Sequence, residues 1–289
     1  MKVATVILLV AIVLASAVER AAAAPVETKK TWYLDCYFNK FVVYPGAITQ
    51  QWEQTPTYSQ LDQPTNALMR VVEKVRSDTN NQSLVILLRP GSVMLSRSIR
   101  SLVGFQYKNV FLDVLDTDEL IKPGKLKLSH PEGRNTHLYF ECCNNQIFHV
   151  DYSALHSQSK KLRDEMEQRF KNKYKEMLKA LEAVVITNEY YTVNTSRLPV
   201  HLTELSRILG VRGEDCLALH RPASRFRSVL SKFVPKDAST VFLIRDDSFK
   251  VFRMARDVAE SLGFQTGFEL LARNEKLRFG EPGLGLPSY

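Results

Sequence analysis

Val241-Phe242-Leu243-Ile244-Arg245, with Ser248, Arg253 and Arg256 after it, is a phrase that this chain says twice. Its earlier copy is Val85-Ile86-Leu87-Leu88-Arg89, with Ser92, Arg97 and Arg100 at the same spacing. Carried on without a gap, the register sets Val110-Phe111-Leu112-Asp113-Val114-Leu115 against Thr266-Gly267-Phe268-Glu269-Leu270-Leu271. Eight of the thirty-three positions from Ser83 to Leu115 are then identical, which points to an internal duplication. Each copy reads as strand, turn, helix, strand. The apolar run bounded by polar residues is a buried strand, Ser92 or Ser248 stands where a helix N-cap belongs, and the last strand returns beside the first through a right-handed crossover.

A second phrase lies upstream of each copy. Tyr33-Leu34-Asp35-Cys36 with Asn39 returns as Tyr139-Phe140-Glu141-Cys142 with Asn145, and the apolar Phe41-Val42-Val43 as Ile147-Phe148. Both read as hairpins that turn at residues 38–40 and 144–146. Between its two phrases each half carries a helix. One spans 66–77 with Leu68, Val71, Val72 and Val75 on one face; the other lies near 224–233 with Phe226, Val229, Leu230 and Phe233. Each half therefore condenses to β-β-α-β-α-β. The fold class expected is α+β, with two duplicated two-layer sandwich units, residues 31–128 and 136–273.

Inside the second unit lies an arm, 155–183. There Leu162, Met166, Phe170, Tyr174, Met177 and Leu181 recur every three or four residues among many Lys and Glu, which predicts one long amphipathic helix. Residues 274–289, rich in Gly and Pro from Gly280 onward, read as a flexible tail.

Residues 1–24 have the parts of a secretory signal: Lys2, an apolar run from Val3 to Val18, and Ala21 to Ala24 before Pro25. An uncleaved membrane anchor through residues 3–18 is the alternative. In both cases the rest of the chain is expected outside the cytoplasm, in the periplasm or secreted. Without residues 1–24 the chain loses Lys2, Arg20 and Glu19, and its net charge falls from +8 to +7. That balance suits an anionic partner or simply solubility. Nucleic acid is not an expected partner, because Lys and Arg are interspersed with acids instead of gathered with aromatic residues.

The six histidines are scattered and neither HExxH nor CxxC occurs, so no metal and no cofactor is expected. Pro90-Gly91-Ser92 lacks the second glycine of a nucleophile elbow, and the Gly283 and Gly285 pair has no helix after it. No catalytic residue is assigned. In an oxidising compartment Cys36 and Cys142 could form a disulfide, with buried free thiols as the alternative, and adjacent Cys142 and Cys143 must face opposite sides of a strand. Arg89 and Arg245 each end a strand at its carboxyl edge, where ligands collect in open α/β sheets. With Asp113 and Glu269 on neighbouring strands they form a candidate ligand-binding set in a groove between the halves, or else two internal pairs, Arg89 with Asp113 and Arg245 with Glu269.

The segment Val241 to Ile244, the helix through Phe252-Arg253-Met254-Ala255, and Gly263-Phe264 leading into Gly267-Phe268 resemble the periplasmic domain of the ExbD and TolR energy-coupling proteins. The likeness covers about thirty residues per copy. The Leu-Tyr-Phe-Glu-Cys and Val-Phe-Leu-Ile-Arg-Asp-Asp-Ser-Phe phrases also resemble an uncharacterised family of exported bacterial proteins, which brings no known activity. The resemblance implies a periplasmic α+β fold and protein partners in the cell envelope, with a homodimer as an open alternative. Proton coupling is not implied, because the run Val3 to Val18 contains no acid. The function expected is a non-enzymatic envelope or protein-interaction role, with a small-ligand binder or enzyme as the alternative.

Overall fold

A computed structural model describes residues 30–63, 65–78, 82–103, 110–115, 136–171 and 173–279. The segment read as an export signal, residues 116–128 of the first unit and the tail from residue 280 onward lie outside the described residues.

The chain is a mixed α+β protein with three sheets among the described residues. The first half runs β1 (Lys30–Cys36), β2 (Lys40–Tyr44), β3 (Ile48–Gln51), α1 (Tyr58–Leu61), α2 (Ala67–Ser77), β4 (Gln82–Leu88), α3 (Val93–Val103) and β5 (Val110–Val114). The second runs β6 (Thr136–Cys143), β7 (Gln146–Val150), α4 (Tyr152–Phe170), α5 (Tyr174–Glu182), β8 (Tyr191–Val193), a 3-10 turn (Thr195–Val200), β9 (Thr203–Arg207), α6 (Cys216–Leu219), α7 (Arg225–Leu230), β10 (Ala238–Arg245), α8 (Phe249–Ser261), β11 (Gln265–Leu271) and β12 (Leu277–Phe279).

Strand order in the first sheet is β3-β2-β1-β4-β5, and in the second it is β11-β10-β6-β7. Apart from the edge strand β3, the two orders correspond, with the hairpin antiparallel and the later pairs parallel. The registers correspond too. Tyr33 lies opposite Tyr44 and Val85, as Tyr139 lies opposite Val150 and Val241. Leu87 lies opposite Asp113, as Leu243 lies opposite Glu269.

Because successive strand residues face opposite sides, each sheet divides its side chains between two layers. Leu34, Cys36, Ile86 and Leu88 of the first sheet and Phe140, Cys142, Phe242 and Ile244 of the second enter one common core, together with the apolar faces of α2, α3, α7 and α8. The other face of the second sheet, with Tyr139, Cys143, Val241 and Leu243, is covered by α4, α5 and the third sheet. Polar contacts also tie the halves together, among them Arg256 on α8, which donates to Asp113 at 2.7 Å, and Arg97 on α3, which pairs with Glu275.

Local chemistry accounts for the element ends. Asn66 caps α2 by accepting from the Leu68 amide at 2.9 Å, and Ser224 caps α7 by accepting from the Arg227 amide at 3.1 Å. Asn144 and Asn145 take φ of 50° and 54°, the left-handed pair that a two-residue type I′ hairpin turn requires.

Four expectations are corrected. Ser92 and Ser248 do not cap their helices with their side chains. The Ser92 Oγ is buried without a partner, while Ser248 Oγ accepts from the Asn145 amide at 2.8 Å. The first amide of α3, at Val93, is instead held at 3.2 Å by Asp246 of the other half.

The arm is two helices, broken at Lys171 with φ 44°. A straight helix over 155–181 would be about 40 Å long, whereas a four-stranded face is about 20 Å wide. The break lets Met177 and Leu181 return to the same core as Leu155, and Tyr174 is left half exposed. Residues 277–279 do not belong to a tail, since Leu277 and Phe279 are buried in β12 of a three-stranded sheet ordered β12-β9-β8. Cys36 and Cys142 form no disulfide; all four cysteines are free, and these two are buried in the common core.

Candidate functional site

The parallel register places one acid on each side of each central strand's carboxyl end. Leu87 lies opposite both Asp35 on β1 and Asp113 on β5; Leu243 lies opposite both Glu141 on β6 and Glu269 on β11. Arg89 takes the first of its two choices, donating from Nε to Asp35 Oδ1 at 2.8 Å and from Nη2 to Oδ2 at 3.0 Å. Arg245 does the same with Glu141, whose Oε1 lies 2.7 Å from both Nε and Nη2. The pairs expected with Asp113 and Glu269 are therefore not the ones formed. Asp113 is engaged by Arg256 instead, which removes it as a partner for Arg89.

Both arginine pairs are sealed. Side-chain exposures are 7% and 3% for Arg89 and Asp35, and 8% and 2% for Arg245 and Glu141. Arg245 also donates from Nη1 to the Ala272 and Arg273 carbonyls and from Nη2 to that of Glu275, which pins the turn after β11. Tyr191 donates to Glu141 Oε2 at 2.9 Å. Arg245 is thus committed internally, and among the described cavities the candidate ligand set Arg89, Arg245, Asp113 and Glu269 is represented by Arg245 alone.

A cavity of about 390 Å³ does open beside Arg245, but it is lined wholly by second-half residues. Its walls are the carboxyl ends of β6 and β10, the strand β9 and the turn at 273–276. Sequence reasoning missed Arg207, Arg273 and Lys276 on those walls. The available signal was the alternation Thr203-Glu204-Leu205-Ser206-Arg207, which received no reading of its own, and the charged turn Arg273-Asn274-Glu275-Lys276, most of which was read as tail.

Thiol and phenol chemistry is disfavoured there. Burial pushes the Cys143 thiol up against the pull of Arg207, and burial followed by the Glu141 charge pushes Tyr191 well above the ordinary phenol range. Burial likewise drives Cys36 and Cys142 well up. Among the described residues no group of three His, Cys, Asp or Glu side chains could hold a metal, and no helix is long and apolar enough to cross a membrane.

No family model, curated protein or solved structure matches the chain.

Proposed function

We propose that this protein is an exported, non-enzymatic interaction module built by duplicating one β-β-α-β-α-β unit, similar in architecture to the ExbD and TolR periplasmic domain and lacking its proton-coupling acid. The observation that carries the reading is the paired recurrence of strand order, register and buried arginine clamp in the two halves. Arginines turned inward at both equivalent strand ends support a body whose polar interior serves its own cohesion, leaving its outer surface for partners. Residues 1–24 deliver that body outside the cytoplasm, and the net charge of +7 that remains without them favours an anionic or acidic protein surface in the envelope.

The test is fractionation with protease accessibility on cells that express the full chain. Protection in intact cells, digestion once the outer envelope is permeabilised, and a mature start at Ala24 or Pro25, or an intact Met1 in the membrane fraction, support the proposal. A soluble cytoplasmic protein with Met1 intact overturns it.

A further inference from the structure

We propose that the cavity at the carboxyl ends of β6 and β10 is a binding site for a small oxyanion, a phosphate or a polycarboxylate. Four cations and two carboxylates line it, and the two carboxylates are already satisfied. Glu141 is held by Arg245 and Tyr191; Glu275 accepts from the Ala272 amide at 2.9 Å and pairs with Arg97. That leaves Arg207, Arg273 and Lys276 without a carboxylate partner among the described residues, three positive charges converging on one concave site. Among the described residues Lys276 donates to the Ser206 hydroxyl, at 3.1 Å.

Arg207 is the telling residue. It is half-buried, its guanidinium lies 4.9 Å from the centre of the Phe148 ring, and its Nη1 is buried with no hydrogen-bond acceptor. It feels the Glu141 charge without forming an ion pair with it, and Glu141 is already bound by Arg245 and Tyr191, which leaves the buried Nη1 donor open to an incoming anion. Its planar fork suits carboxylate and phosphate oxygens. The position agrees with the rule that open sheets bind ligands outside the carboxyl ends of parallel strands, and the volume is within the range of small-molecule sites. Glu275 joins this wall to α3 of the first half through Arg97, so occupancy would be felt across the contact between halves.

The experiment is isothermal titration of the purified full chain with inorganic phosphate, pyrophosphate and citrate in turn, at fixed ionic strength with chloride as control. Saturable one-site binding of any of the three supports the proposal, and the tightest identifies phosphate or carboxylate as the preferred chemistry. Arg273 and Lys276 are exposed, so R273Q and K276Q leave the fold intact; each weakens binding about tenfold, the loss of one charge-assisted hydrogen bond. R207Q, with its fold checked by circular dichroism, weakens it further. Heats no larger than the chloride control, or an unchanged affinity in the R273Q/K276Q double variant, overturn it.

Discussion

Replacing Arg245 by Ala removes the partner of a carboxylate that is 2% exposed, together with the donors for the Ala272, Arg273 and Glu275 carbonyls. Breaking a buried pair from one side costs about 3–5 kcal/mol, because the remaining charge is stranded in low dielectric. At roughly 2–4 °C per kcal/mol for a chain of this size, the melting temperature should fall by about 6–20 °C. The cause can be separated from simple loss of volume. In a Glu141→Gln background no charge is left to strand, so Arg245→Ala should cost markedly less there, with a coupling energy on the order of 2 kcal/mol or more. The assay is urea unfolding of the wild type, both single variants and the double variant, followed by far-ultraviolet circular dichroism. A loss below about 1 kcal/mol for Arg245→Ala, or equal losses in both backgrounds, would refute the claim that the pair is an internal clamp.

Other outcomes follow from the same geometry. Asn66→Ala should destabilise by about 1 kcal/mol through loss of the α2 cap, checked by thermal unfolding. An added Cβ at Gly213 would meet the Ile147 carbonyl at 2.4 Å; Gly213→Ala should therefore cost about 1–3 kcal/mol by overpacking, measured the same way. Arg256→Gln and Asp113→Asn should show a coupling of about 0.5–3 kcal/mol in a double-mutant cycle, because that pair joins the two halves. Burial lowers the pKa of His149, with the Asp151 charge opposing and the Lys232 charge assisting. The unfolded chain then takes up a proton near pH 6.5 that the folded one resists. Stability is therefore intact above that pH and declines as pH falls towards the lowered folded value. His149→Gln should flatten that part of a stability profile recorded between pH 7 and 5.

Much of the α+β pattern was legible because it rests on local signals. Four-residue apolar runs such as Val85 to Leu88 and Val241 to Ile244 can only be buried strands once both their faces are covered, as the core clusters show for the second of them. The helices at 66–77 and near 224–233 were announced by their apolar faces, Leu68, Val71, Val72 and Val75 in one and Phe226, Val229 and Leu230 in the other. The arginine pairing was not legible. Register alone sets acids on both flanks of each central strand, and the choice between Asp35 and Asp113 depends on Arg256, which arrives from the other half. The break at Lys171 was hidden for a similar reason: no Gly or Pro marks it, and the limit is the width of the sheet that the arm covers. The third sheet went unread because β8 and β12 are three residues long, too short for alternation to register.

Duplication of one unit is most directly tested by cross-strand nuclear Overhauser effects in a deuterated protein whose Ile, Leu and Phe side chains are selectively protonated. Contacts of Ile86 with Leu34 and Leu112 report the central strand of the first sheet, and contacts of Phe242 with Phe140 and Phe268 report the equivalent positions of the second. The account predicts both sets, in the same register. A second sheet whose central strand pairs in a different register or with different neighbours would contradict it.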